Sequence, residues 1–214
     1  MASTVSMINS QAAVLPKQKQ GPPAGSFAAS GAARASRSGI WVGLFAITMS
    51  FAAFTSALFV RQGSLDWGHI VLPSVLYLNT LLLLLSSGTF EKARHALRAG
   101  AMIESDGARR ASAWLLLTLL LGVAFGAGQF VAWRQLHAQG IYLATNPNSS
   151  FFYVLTVTHA LHVMAGILAL VYLLGRLVAS HSTFRRSLFE NTAIYWHFMG
   201  VLWVYLLLLC RMKL

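Results

Sequence analysis

Three histidines lie well inside long apolar runs of this 214-residue chain, away from their ends: His159 and His162, three positions apart, and His197. Neutral imidazole ligates metals and haem iron, and inside a membrane it also hydrogen-bonds between helices. Three-residue spacing puts His159 and His162 on one helix face. His162 stands 14 residues from Arg176 and His197 stands 11 from Arg186. At the helical rise these two depths differ by about 4.5 Å, so the two imidazoles could meet. One reading is an axial haem pair or a metal site. The other is hydrogen bonding in the bundle beside Tyr195, Trp196, Thr156 and Thr158. Three histidines on only two helices favour the second, and no metal ligand is assigned.

The remaining reactive groups are sparse. The five acids, Asp66, Glu91, Glu104, Asp106 and Glu190, fall in connections or at a helix end, so no carboxylate lies deep in hydrocarbon. That argues against a pump or coupled transporter, which places ionisable groups near the midplane. There is no paired carboxylate, no glycine-rich phosphate loop, no cysteine cluster and no supported Ser-His-Asp arrangement, so no catalytic residue is assigned. The single cysteine, Cys210, has no partner in the chain and reads as inert packing near a helix end.

The elements that hold these groups follow from composition. With 57% hydrophobic and 10% charged residues, the chain has too little polar surface for an ordinary soluble globule and reads as an integral membrane protein. Five apolar runs, 39–60, 67–89, 111–133, 150–177 and 187–210, each approach the roughly 20 residues a spanning helix needs. The predicted fold is all-α, a bundle of five transmembrane helices over 39–214. Residues 1–38, rich in Ala, Ser, Gly, Pro and Gln and free of acids, are expected to form a disordered, retained cytoplasmic tail. Their apolar stretch is broken by Asn9, Ser10 and Gln11, unlike a secretory signal.

Cations orient the bundle, because Lys and Arg in short flanking segments resist translocation. Four lie in the tail, five in the second connection (Lys92, Arg94, Arg98, Arg109, Arg110) and three in the fourth (Arg176, Arg185, Arg186). Arg61, Arg134, Arg211 and Lys213 lie on the other side. Twelve against four predicts a cytoplasmic N-terminus and an outside C-terminus. Most of the +11 net charge is thereby topology and head-group contact, and a nucleic-acid partner is not expected. Pro73 is expected to bend the second helix and free the carbonyl of His69. The pairs Gly39/Gly43 and Gly122/Gly126, with Gly128 beyond, are expected to let helices approach closely. Asn148-Ser149-Ser150 formally matches a glycosylation acceptor but reads better as an N-cap of the fourth helix.

The residues then carry a resemblance. Leu72-Pro73, Leu78-Asn79-Thr80-Leu81 and Ser86-Ser87 lie on helix two. Leu121-Gly122 and Gln129 follow on helix three, and His159-Ala160-Leu161-His162-Val163 with Gly166 on helix four. Tyr195-Trp196-His197-Phe198 with Trp203 completes the set on helix five. In this order the chain, from about Trp41 to Tyr205, resembles subunit III of the haem-copper terminal oxidases, in its short five-helix form. The resemblance implies an accessory subunit without its own cofactor, packed on subunit I beside subunit II, which hold the haems and copper. It implies bound phospholipid, a bacterial inner membrane, and a stabilising role for the oxygen-reducing, proton-pumping complex. Asn79, Gln129, His159, His162, Trp196 and His197 become interhelical packing residues. Arg176 with Glu190 and His197 becomes the lipid-holding group, a guanidinium fork suiting a phosphate.

Where family members often carry carboxylates within the helices, this chain has Thr48-Met49-Ser50, Ala132 and Gly200. The expectation is therefore packing and lipid retention without direct proton carriage. Two further readings stand beside it: a subunit-III-like protein of a nitric oxide reductase, and a free-standing membrane b-haem protein using His162 and His197. A small transporter is disfavoured by the missing midplane acids and the lack of an inverted repeat.

Overall fold

The computed structural model describes residues 24–63, 72–99, 104–143, 147–179 and 186–213. Five helices follow one another: α1 (Ala24–Arg61), α2 (Val75–Ala99), α3 (Glu104–Ala138), α4 (Pro147–Ala179) and α5 (Arg186–Lys213). The chain divides into two units, Met1–Ala35 and Ser36–Leu214. In the first, helix begins at Ala24, inside the stretch expected to be disordered. That run is rich in alanine, the best helix former. The rest of the expected tail lies outside the described residues.

The second unit holds the bundle. Ser38–Arg61, Gly107–Ala138, Pro147–Ala179 and Ser187–Lys213 are each long and apolar enough to cross a membrane. The protein is a membrane protein on this ground. The fifth expected span, 67–89, is described only from Leu72, and its helix α2 runs on through charged residues to Ala99. Glu91 and Arg94 are thus within a helix, where a loop was expected.

α2, α3 and α4 each bury a narrow seam with a spacing of three and four. On α2 it is Leu76, Asn79, Leu83, Ser86, Phe90 and Ala93. On α3 it includes Leu115, Thr118, Gly122, Phe125, Gln129, Ala132 and Leu136, and on α4 Leu155, His159, Val163, Gly166, Leu170, Leu173 and Leu177. This near-heptad period keeps one stripe facing the neighbouring helix. The outward faces are apolar instead of charged: Leu81, Leu84, Leu85, Leu116, Leu120, Leu161 and Leu168 are exposed, while Asn79, Gln129, Thr156 and His159 are buried. Such an inverted pattern suits hydrocarbon as the surrounding solvent.

α2 packs most extensively on α3, and α5 lies against both α2 and α4. α5 is the most enclosed of the four spanning helices and α1 the least. Gly140, at φ +75°, closes α3 in the left-handed conformation, where glycine has no Cβ penalty. The Ile141 and Gly140 N–H groups donate back to the Leu136 and His137 carbonyls. Tyr153 then ties α4 to this turn by donating to the Ile141 carbonyl.

Pro73 does not kink α2. It precedes the first helical residue, and its carbonyl accepts from the Leu76 N–H. His69 lies outside the described residues. Pro147 opens α4, a position that needs no N–H donor, so Ser149 and Ser150 sit inside the first turn instead of capping it. Asn148 is buried there, which is no setting for a glycan.

Candidate functional site

The buried seams meet around α5, and aromatic side chains make the connections. Trp196 is 1% exposed. A Cβ on Gly122 of α3 would come within 2.7 Å of its ring, and one on Gly166 of α4 within 3.2 Å. Both glycines are seats for the indole. The indole Nε1–H donates to Ser86 Oγ of α2 at 3.1 Å, so one side chain touches three other helices. Two turns on, Trp203 donates to Thr80 Oγ1 at 3.0 Å.

The same arrangement recurs elsewhere. Trp133 of α3 donates to Thr156 of α4 at 3.2 Å, and Tyr205 of α5 donates to Thr55 of α1 at 3.0 Å. In each case the accepting hydroxyl donates its own proton to a carbonyl one turn back on its helix. A hydroxyl used in this way leaves its lone pairs for a neighbouring helix, and neither partner is left unpaired in hydrocarbon.

The histidines are divided among different surroundings. His159 is 1% exposed, stacked on Trp203 with ring centroids 5.3 Å apart and edge-on to Phe125 at 6.1 Å. His162 faces Phe51 of α1, and its Nδ1 lies 2.7 Å from the Thr158 carbonyl of its own helix. Tyr195 of α5 reaches the same turn through the His162 carbonyl at 2.8 Å. His197 instead faces α2, edge-on to Phe90, with Nε2 3.7 Å from Glu91. The similar depths of His162 and His197 therefore do not make them a pair. Among the described residues no group of three His, Cys, Asp or Glu side chains is arranged to hold a metal.

Asn79 and Gln129 are brought together: Asn79 Nδ2 donates to Gln129 Oε1 at 3.4 Å, both residues fully buried. Asn79 also lies against the backbone of Gly128, where a Cβ would fall 2.0 Å from Oδ1. Gly39, Gly43 and Gly126 behave differently from expectation, since a Cβ on any of them would meet nothing within 4 Å. Their faces point outward, so at these three positions the spacing brings no close helix contact among the described residues.

Glu190 belongs to an ion-pair network at one end of the bundle. Arg94 Nη2 lies 2.5 Å from its carboxylate and Arg98 Nη2 3.1 Å. Arg94 also reaches Glu91 at 3.4 Å, and His95 stands 3.6 Å from Glu91. The hydrogen bonds to Glu190 hold the Arg94 guanidinium above its ordinary pKa. Lys92 lies 4.7 Å over the Trp114 ring. The carboxylate of Glu190 is thus engaged with α2. Arg176, the residue expected beside it, is exposed on the last turn of α4.

At the opposite end Arg211 of α5 donates to the Tyr77 hydroxyl of α2. In the sequence Arg94 and Arg98 count only as topology signals, and their pairing with Glu190 comes from the structure. Their spacing from Glu91, three and seven residues on one helix face, is the signal that marks the cluster.

A family profile described as "Cytochrome c oxidase subunit III" matches residues 43–212. The "Quinol oxidase subunit 3" of Bacillus spizizenii is 31% identical over 176 residues, covering 78% of this chain and 82% of that protein. The "Cytochrome c oxidase subunit 3" of Corynebacterium diphtheriae is 34% identical over 168 residues, covering 77% and 76%. That of Synechocystis is 32% identical over 174 residues, covering 80% and 69%. The matched region takes in Trp196 with its glycine seats, the Asn79–Gln129 contact and the ion pairs of Glu190. The chain belongs to the cytochrome c oxidase subunit III family.

Proposed function

We propose that this chain is the accessory subunit III of a haem-copper respiratory oxidase. It packs on catalytic subunit I, alongside subunit II, and stabilises the complex that reduces oxygen. Haems and copper reside in those partners. The observation that carries the reading is the family match over 43–212, which spans α2, α3 and α4 completely and all of α5 but its last residue. The bundle interior is consistent with it: His159 and His162 pack against aromatic rings, and His197 against Phe90 and Glu91.

The chain spans a bacterial plasma membrane with its N-terminus in the cytoplasm and its C-terminus outside, and α2 supplies the fifth crossing. Bacterial relatives and the twelve-to-four division of cations support this. Arg176 is the residue for a phospholipid phosphate, with Glu190 and His197 holding the adjacent ends of α2 and α5 together. Asn79, Gln129, His159, His162 and Trp196 serve interhelical packing.

The test is to tag the chain, extract it from native membranes in mild detergent and identify what comes with it. Recovery with a large haem-bearing subunit and a copper-bearing companion is the expected outcome. A nitric oxide-reducing partner would move the chain to the related accessory role. Recovery alone under several mild conditions, with a haem spectrum of its own, would overturn the reading.

A further inference from the structure

Polar atoms that make no hydrogen bond in a membrane interior carry a large desolvation cost, because hydrocarbon offers them no substitute partner. Among the described residues, Asn79 Oδ1, Gln129 Nε2 and both ring nitrogens of His159 are buried without a hydrogen-bond partner in the chain. Rotating the two amides does not cure this. With both turned, Gln129 would donate to Asn79, and the other nitrogen and oxygen would be orphaned instead. With one turned, like would face like.

Contacts along neighbouring turns connect the residues that carry these four atoms. On α3, Phe125, Gln129 and Trp133 are spaced by four and share a face. Phe125 touches His159 of α4, and Trp133 donates to Thr156 of α4. Gln129 is therefore bracketed opposite the turn from Thr156 to His159. On α2, Asn79 meets Gln129, and its neighbour Thr80 accepts from Trp203, the indole on which His159 stacks. Each of the four helices contributes a polar group to this layer.

What completes the layer must be small, because Asn79, Gln129 and His159 are each no more than 1% exposed. It must also accept from an amide N–H and donate to an amide oxygen. A metal cation fails the first requirement and a halide the second. Water does both, and buried waters characteristically make about three hydrogen bonds to groups of this kind.

We propose that the Asn79–Gln129–His159 layer is a hydration site, holding ordered water that accepts from Gln129 Nε2 and donates to Asn79 Oδ1 and to the unprotonated nitrogen of His159. Water so held links α2, α3 and α4 at a level where the chain's own side chains do not close the network. It also fixes which nitrogen of His159 carries the proton.

The experiment is solid-state NMR on the isotopically labelled chain in its native complex, reconstituted in lipid, with magnetisation passed from water to nitrogen. The expected result is transfer to the Gln129 side-chain amide and to a ring nitrogen of His159. In Gln129→Met, which keeps the length of the side chain, the His159 transfer is expected to fall by at least half. Absence of transfer to both residues in the wild-type complex overturns the proposal. So does a high-resolution density map in which the three side chains bond directly to one another. The wild-type measurement decides the matter even if the variant fails to assemble. It reads this chain's own side chains, so it is independent of which partners the chain is recovered with.

Discussion

Among the described residues, Gly122 and Gly128 are the glycines where an added Cβ would come closest to a neighbouring side chain. A Cβ on Gly122 would press into a tryptophan ring that is itself enclosed by α2 and α4, and one on Gly128 would meet the amide of Asn79. Gly122→Ala and Gly128→Ala are each expected to cost about 1–3 kcal/mol through overpacking. The same change at Gly39, with nothing within 4 Å, is expected to be neutral or slightly stabilising within the isolated chain. Thermal unfolding midpoints of the purified protein separate these outcomes. Ser86→Ala removes the acceptor of the Trp196 indole and is expected to cost about 1 kcal/mol by the same measurement, in keeping with interhelical bonds in lipid. Sequence picked out Trp196, Asn79 and Gln129 by their place in a motif. It did not pick out Ser86 as the partner of Trp196, because a hydroxyl 110 positions away becomes an acceptor only when two seams are brought into register.

α2 and α5 are fastened at both ends, by Arg94 and Arg98 on Glu190 and by Arg211 on Tyr77. With the Arg94 and Glu190 side chains 28% and 29% exposed, the pair is only partly shielded from water. A double-mutant cycle of Arg94→Ala and Glu190→Ala is expected to return a coupling of about 1 kcal/mol, falling as salt is raised. A coupling near zero at low salt would show that the pair contributes nothing to joining the helices. α1 has the opposite character. Its ties to the rest among the described residues include the Tyr205 hydrogen bond to Thr55, the Phe51 contact with His162 and Lys213 over Phe59. Amide exchange in 38–61 is therefore expected to be faster than in the buried middle of α5, as measured by mass spectrometry in detergent. Helix existence was legible from apolar runs of spanning length. Helix ends were not, because Glu91 to Ala99 and residues 24–38 combine polar composition with good helix formers, and a hydropathy reading takes such stretches for loops.

For the whole molecule, the separate surroundings of His162 and His197 predict that His197→Ala leaves the haem spectrum of the recovered complex unchanged. Loss of a haem band would return the histidines to a ligand role. Neutralising Glu104, Asp106 and Glu190 together is likewise expected to leave proton uptake in place in an assembled complex. Abolished uptake would contradict an accessory role without proton carriage. By itself the sequence determined that the chain is a helical membrane protein and, through ordered motifs on successive helices, its family, because hydrophobic length and residue order are local properties. Only the tertiary structure decided which groups meet. Similar depths placed His162 and His197 within reach of each other, yet the rotation of each helix about its axis turned them toward different neighbours. The same rotations turned Glu190 toward Arg94 and left Gly39 and Gly43 facing outward. In a bundle whose outer faces are apolar all round, hydropathy carries almost no information about that rotation. It is set by where small residues let an indole fit and where hydroxyls and amides find partners.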